Sequence, residues 1–293
     1  MKNQANRKLI SNTVFLYLMT TSIQILNLLT VPYLSRVLGP TEYGQIGLAL
    51  GYMAYVQIIL DFGFTLYATK KISENKTDKC KIEYIITAVT FIKVILAVCL
   101  GVVFLLFLYI NVFDVTLMTI LQVYLLGYLI TALLPDFYYR GMENMKSIAL
   151  RTLIVRVLFT LLIFLCVRKK EDIMFVPVCF LVGSILAFII TAADIRWKKQ
   201  ITFRWPGRKY VMSMVRSAFP YFTSRFASTF YQALNVIIIG KIYGTAPEVG
   251  YYTSSDKCLS LVKMGSSPIA DSLYPYMLNH KNYRLIKRLL GFV

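Results

Sequence analysis

VLGPTEYGQIGL, residues 37–48, is followed about 205 residues later by IYGTAPEVGYYTS, residues 242–254, and each copy comes directly after a long apolar run. Gly39, Glu42 and Gly44 correspond to Gly244, Glu248 and Gly250, with one residue inserted in the second copy. Upstream, Gln24-Ile-Leu-Asn27 corresponds to Gln232-Ala-Leu-Asn235. The chain therefore reads as a duplicated membrane unit. Internal repeats of this kind let a secondary transporter build a central site between two halves.

Composition agrees with a membrane setting. A chain of 293 residues that is 57% hydrophobic and 16% charged, with a mean hydropathy of +0.62, carries more apolar surface than a water-soluble core can hide. A span needs about 20 apolar residues. Runs of that length fall near 11–35, 43–69, 83–110, 115–139, 149–167, 173–195, 217–243 and 251–279. The expected fold is thus an all-α polytopic membrane protein of about eight helices. The first run lacks a small-residue cleavage site and continues to Pro32, which argues against a cleaved signal peptide.

The net charge of +18 suggests nucleic acid until its placement is considered. With the N-terminus inside, 22 Lys and Arg lie in inner segments and 5 in outer ones. This asymmetry predicts a cytoplasmic N-terminus, and the basic loops then record topology and contact with anionic lipid, with no nucleic-acid partner. Cys80, Cys99, Cys166, Cys179 and Cys258 form no CxxC pair and read as packing residues. One histidine, His280, is too few for a histidine metal site or a Ser-His-Asp triad. No catalytic motif is present, and no cofactor or enzyme activity is expected.

The basic stretch near 196–216, with Pro206 and Gly207, divides the chain. Residues 1–197 read as an N-terminal six-helix lobe, 198–216 as a basic cytoplasmic linker, and 217–293 as the start of a second lobe. An even number of helices before the linker makes the repeats parallel. At 279 the second unit has reached only its second helix, and HKNYRLIKRLLGFV resembles the run-up to a ninth, so the expectation is a longer protein of which this is the larger part.

Charges at membrane depth need a partner or a wet cavity. On the seventh run Tyr221, Arg225, Ser228, Gln232 and Asn235 share one face; on the first, Thr13, Tyr17, Thr20, Gln24 and Asn27 do the same. These stripes either line a shared central cavity or hydrogen-bond neighbouring helices together. Arg225 is the strongest binding candidate, because its permanent charge and planar fork suit phosphate. The eighth run adds Asp256, Ser260, Lys263 and Ser267, with Lys257 beside them. Asp61 and Asp256 suit either ion coupling or charge pairing. Lys93 and Arg156, near inner helix ends, are expected to snorkel to the interface. Asp271, between Pro268 and Pro275, suits a kink. Pro32, Gly39, Gly44, Gly244 and Gly250 fit turns or hinges at outer helix ends. The deeper cations Arg225, Lys257 and Lys263 outnumber Asp61 and Asp256, which favours an anionic substrate.

NTVFLYLMTTSIQILNLLTVPYLSRVLGPTEYGQIGLALGY from residue 12, LDFGFTLYATKKIS from residue 60 and PDFYYRGMENMK at 135–146 resemble the polysaccharide-biosynthesis flippases of the Wzx type, within the multidrug/oligosaccharidyl-lipid/polysaccharide exporter superfamily. The resemblance implies a two-lobed fold of twelve or more helices, with helices one and seven facing each other across a cationic lumen. It implies a lipid-linked oligosaccharide on undecaprenyl pyrophosphate, moved from the inner to the outer leaflet of the bacterial plasma membrane. Membrane lipids and the polysaccharide polymerase machinery are the implied partners. A drug/cation antiporter of the superfamily should instead show a lumen rich in carboxylates. A polymerase or glycosyltransferase should show a large outer loop or a carboxylate pair.

Overall fold

The computed structural model describes residues 2–110, 114–243 and 247–264. The helices are α1 (Lys2–Asp61), α2 (Phe64–Glu74), α3 (Lys79–Ile110), α4 (Val115–Ala132), α5 (Asp136–Gly141), α6 (Met145–Cys166), α7 (Phe175–Ala193), α8 (Arg208–Tyr243) and α9 (Pro247–Met264). A 3-10 turn, Lys170–Met174, precedes α7, and a π turn, Asp194–Lys198, follows it. No strand occurs among the described residues. Lipid leaves no backbone partner other than the helix itself, so an apolar chain of this kind folds as spanning helices.

Five stretches of the described residues are long and apolar enough to cross a bilayer: Thr21–Glu74, Lys79–Ile110, Val115–Gly141, Met145–Cys166 and Lys170–Lys198. Their outward faces carry Val98, Val103, Leu106, Leu161, Leu165 and Ile189, all exposed, as lipid contact requires. The protein is an all-α polytopic membrane protein. The expected seventh and eighth runs are helical as α8 and α9. Ser267, Pro268, Asp271, Pro275 and His280 lie outside the described residues.

At 60 residues, α1 would measure about 90 Å if straight, roughly three hydrocarbon thicknesses. It reverses at Gly39, whose φ of 81° and ψ of 171° are non-helical. Glycine reaches this conformation without a Cβ penalty, and Pro40 then supplies a φ suited to the first turn of the next arm. As a result Gln24 and Leu50, on opposite arms, line one cavity. Pro32 makes no break, because Gly39 is the non-helical residue inside α1. The expected single span 43–69 also breaks at its far end. Phe62 and Gly63 have φ of 44° and 74°, and the carboxylate of Asp61 accepts hydrogen bonds from Thr65 N and Oγ1 to restart the helix as α2.

Helix α8 lies antiparallel along the second arm of α1 and along α2. Gly51 faces Val236 and Ile237, Tyr55 donates to the Phe230 carbonyl at 2.9 Å, Arg225 meets Asp61, and Gly63 abuts Phe222. Helix α9 packs on the same arm nearer Gly39. There a Cβ on Gly44 would lie 2.9 Å from Gly250 N, and one on Gly250 would run into the Pro40 carbonyl. The two copies of the repeated motif therefore touch at corresponding residues. This corrects the turn reading for Gly44 and Gly250, which are helical and allow close approach of helices. Gly39 keeps its turn role, and Gly244 lies outside the described residues.

The expected linker is more ordered than its composition suggests. Residues 208–216 belong to α8, so the helix begins before 217. The preceding segment is strapped to α3: Thr202 N donates to Glu83 at 3.1 Å, Arg204 Nε pairs with the same buried carboxylate at 3.1 Å, and Arg204 N donates to Thr87 Oγ1 at 3.0 Å. Trp205 meets Phe91 edge-on at 4.8 Å, and Ile201 is buried with Ile82, Ile85 and Ile195.

Candidate functional site

Two cavities follow the second arm of α1, one toward Gly39 and one toward Asp61. The first, of about 380 Å³, is lined by Gln24, Asn27 and Thr30 on the first arm, by Tyr124 and Tyr128 on α4, by Arg156 on α6 and by Lys257 on α9. Its other walls include Phe159 and Phe180. Asn27 Nδ2 donates to Gln24 Oε1 at 3.3 Å, the i to i+3 spacing expected of one helix face. Asn27 Oδ1 and Arg156 Nε are buried without a hydrogen-bond partner among the described residues. Such groups cost free energy unless a ligand or water meets them. The Arg156 guanidinium lies 5.1 Å from the Phe159 ring centroid, which holds its plane in place. Among the described residues, the charged side chains lining this chamber are Arg156 and Lys257.

The second cavity, of about 360 Å³, is lined by Asp61, Lys93, Asp136, Arg140, Arg225 and Thr229, among others. Tyr128 lines both cavities and stands between them. Asp61 is shared. Lys93 Nζ lies at 3.9 Å from one oxygen and Arg225 Nη1 at 3.5 Å from the other, while Thr65 caps onto it. Asp136 pairs with the buried Arg151 at 2.7 Å, and Arg151 also donates to Thr191. Among the described residues five cations, Lys93, Arg140, Arg156, Arg225 and Lys257, line the walls of the two cavities against two carboxylates, Asp61 and Asp136. The walls are net positive, suited to an anion.

Several sequence expectations change here. Lys93 does not snorkel: it is 5% exposed, pairs with Asp61 and sits 5.7 Å from the Phe137 ring. Arg156 turns inward in the same way. For Lys93 the reason is tertiary, because Asp61 and Phe137 sit on other helices and no local spacing reveals them. Gln24 and Asn27 come together with Lys257, whereas Arg225 lies in the other chamber, so among the described side chains these members of the two stripes do not share one cavity. Asn235 is half-buried and Asp256 exposed, and neither lines either chamber. The side chains of Thr13, Tyr17, Thr20, Ser228, Gln232 and Lys263 lie outside the described residues. Asp136 and Arg140 lay inside the PDFYYRGMENMK stretch without being singled out, and an apolar run interrupted by one permanent charge was the only signal for Arg156.

The shared carboxylate makes a testable structural unit. Removing one partner of a buried pair leaves an uncompensated charge, at roughly 3–5 kcal/mol. Asp61→Asn is expected to lower stability in detergent by that order, through Lys93, and Lys93→Met in the same background is expected to recover most of it. Thermal unfolding of the two variants decides this; an unaltered melting curve for Asp61→Asn would remove the pair from the account.

Comparison with known proteins follows the same lines. The family model described as "Polysaccharide biosynthesis protein" matches residues 9–280. A protein of Escherichia coli (strain K12) named "Putative O-antigen transporter" is 28% identical over 278 residues, covering 90% of this chain and 63% of that protein. A Shigella dysenteriae protein of the same name is 22% identical over 280 residues, covering 95% and 69%. The chain thus spans about two thirds of the length of these relatives. Among solved structures, an inward-facing multidrug resistance MATE family transporter of the MOP superfamily shares the fold, with a TM-score of 0.58 at 16% identity over 87% of this chain and 59% of that one. The family match takes in both chambers and the glycine contact beside them, and the chain belongs to the polysaccharide biosynthesis protein family.

Proposed function

We propose that the protein is a transporter, not an enzyme, that turns undecaprenyl-pyrophosphate-linked oligosaccharide repeat units from the inner to the outer leaflet of the bacterial plasma membrane, with its N-terminus cytoplasmic. The observation that carries this reading is the chamber in which the unpartnered Arg156 Nε and Asn27 Oδ1 lie beside Lys257. A pyrophosphate accepts charge-assisted hydrogen bonds from a fixed guanidinium and ammonium. Sugar hydroxyls pair with the amides of Gln24 and Asn27, and sugar faces lie against Tyr124 and Tyr128. The polyprenyl tail stays in lipid. The relatives' printed names support a transporter, and Lys and Arg asymmetry supports the orientation.

Movement follows from the duplicated architecture, in which one half rocks against the other around a fixed site. The cation excess in the cavity walls disfavours a cationic drug as cargo. In cells lacking the gene and any paralogue, lipid-linked repeat units are expected to remain accessible only from the inner leaflet. Units reaching the outer leaflet at an undiminished rate would exclude this function.

A further inference from the structure

A third cavity, of about 640 Å³, lies between α3, the end of α7 and the strapped segment after it, and shares Leu134 with the second chamber. Ile86 and Val94 on α3 and Phe188 on α7 form apolar walls, Ile195 and Phe203 add to them, and Arg196 is the one charged residue in its lining among the described residues. Arg196 is exposed and forms no ion pair among the described residues. Its neighbours are engaged: Lys198 lies 3.9 Å from Asp194, and Arg204 is held by Glu83. Phe203 in its lining is 64% exposed, and along the same segment Trp197 and Trp205 are 75% and 51% exposed. Exposed tryptophans beside cations mark the headgroup level of a bilayer. The strap therefore lies where acyl chains meet headgroups, with an apolar cavity beneath and a cation at the rim.

We infer that this cavity is a binding site for an anionic glycerophospholipid, with one acyl chain in the cavity and the phosphate on Arg196. Charge complementarity selects the anionic headgroup, since a zwitterionic lipid would bring its own cation to Arg196. Burial of the chain supplies the nonpolar part of the affinity. The bound lipid would fasten the strap to α3 and so fix the start of α8. This inference does not depend on the cargo proposed for the two chambers, because the cavity's charged residue lines neither of them.

The test measures binding and thermal unfolding of the purified protein in neutral detergent with phosphatidylglycerol, phosphatidylcholine, inorganic phosphate or undecaprenyl phosphate. Phosphatidylglycerol is expected to raise the melting temperature and to bind more tightly than phosphatidylcholine. Arg196→Gln should weaken it by about fivefold and erase the preference. Ala192→Phe, which fills the cavity from α7, should abolish phosphatidylglycerol binding while melting like the parent in detergent alone. Should that variant fail to fold, Val94→Trp repeats the test from the α3 wall. Equal binding of the two phospholipids, full stabilisation by inorganic phosphate, displacement of phosphatidylglycerol by undecaprenyl phosphate, or an unchanged preference in Arg196→Gln would each overturn the inference.

Discussion

Replacing Arg156 with Gln is expected to weaken the binding of undecaprenyl pyrophosphate by roughly ten- to a hundredfold, the loss associated with one hydrogen bond to a charged group. The size follows from the arrangement in the Gly39-side chamber. Arg156 is largely buried, its plane is set by Phe159, and its Nε has no partner among the described residues, so little has to be undone before it receives an anion. Arg225→Gln should have a smaller effect, because that guanidinium is already held 3.5 Å from Asp61 and is about half exposed. Arg156→Lys keeps the charge but loses the fork, and an intermediate affinity is expected. Binding titrations on the three variants separate these cases. Equal losses for Arg156→Gln and Arg225→Gln would move the phosphate site to the second chamber or between the two.

The second large effect is expected at Gly250. A methyl group there meets the backbone carbonyl of Pro40, which cannot rotate aside as a flexible side chain would. Gly250→Ala should therefore destabilise the protein by about 3 kcal/mol, the upper end of ordinary overpacking. Gly51→Ala serves as the control from the same seam. Its added carbon finds Ile237 Cγ1 at 3.5 Å, an ordinary contact, so stability should change by less than about 0.5 kcal/mol. Unfolding midpoints measured side by side in one detergent decide the matter. Indistinguishable midpoints would show that α9 sits farther from the Pro40 turn than described.

The contrast between these glycines shows what the sequence can and cannot disclose. The apolar runs, the repeat and the basic division near residue 200 are one-dimensional features, and α3, α4, α6 and α7 appear close to where those runs place them. The break after Asp61 was less legible, since LDFGF contains one glycine in an apolar run and its turn depends on the Thr65 cap. Lys93 and Arg156 were misjudged for a related reason. Each lies near a helix end, where snorkelling is the default, and only the rotation of that helix against its neighbours decides whether the charge turns to lipid or to the interior. The polar stripe on the first helix was legible because Gln24 and Asn27 share a face. Which other helices would complete the cavity around them depended on packing, and it was α4, α6, α7 and α9 that did so.

The contact of Gly44 with Gly250 has a consequence for how the halves are held. A residue that meets its own counterpart is the mark of an isologous contact, the kind two identical subunits make about a two-fold axis. Here both partners belong to one polypeptide, so association is intramolecular and the tether adds a high effective concentration to the packing itself. A close, glycine-faced contact can then open and reform without any risk that its two sides drift apart.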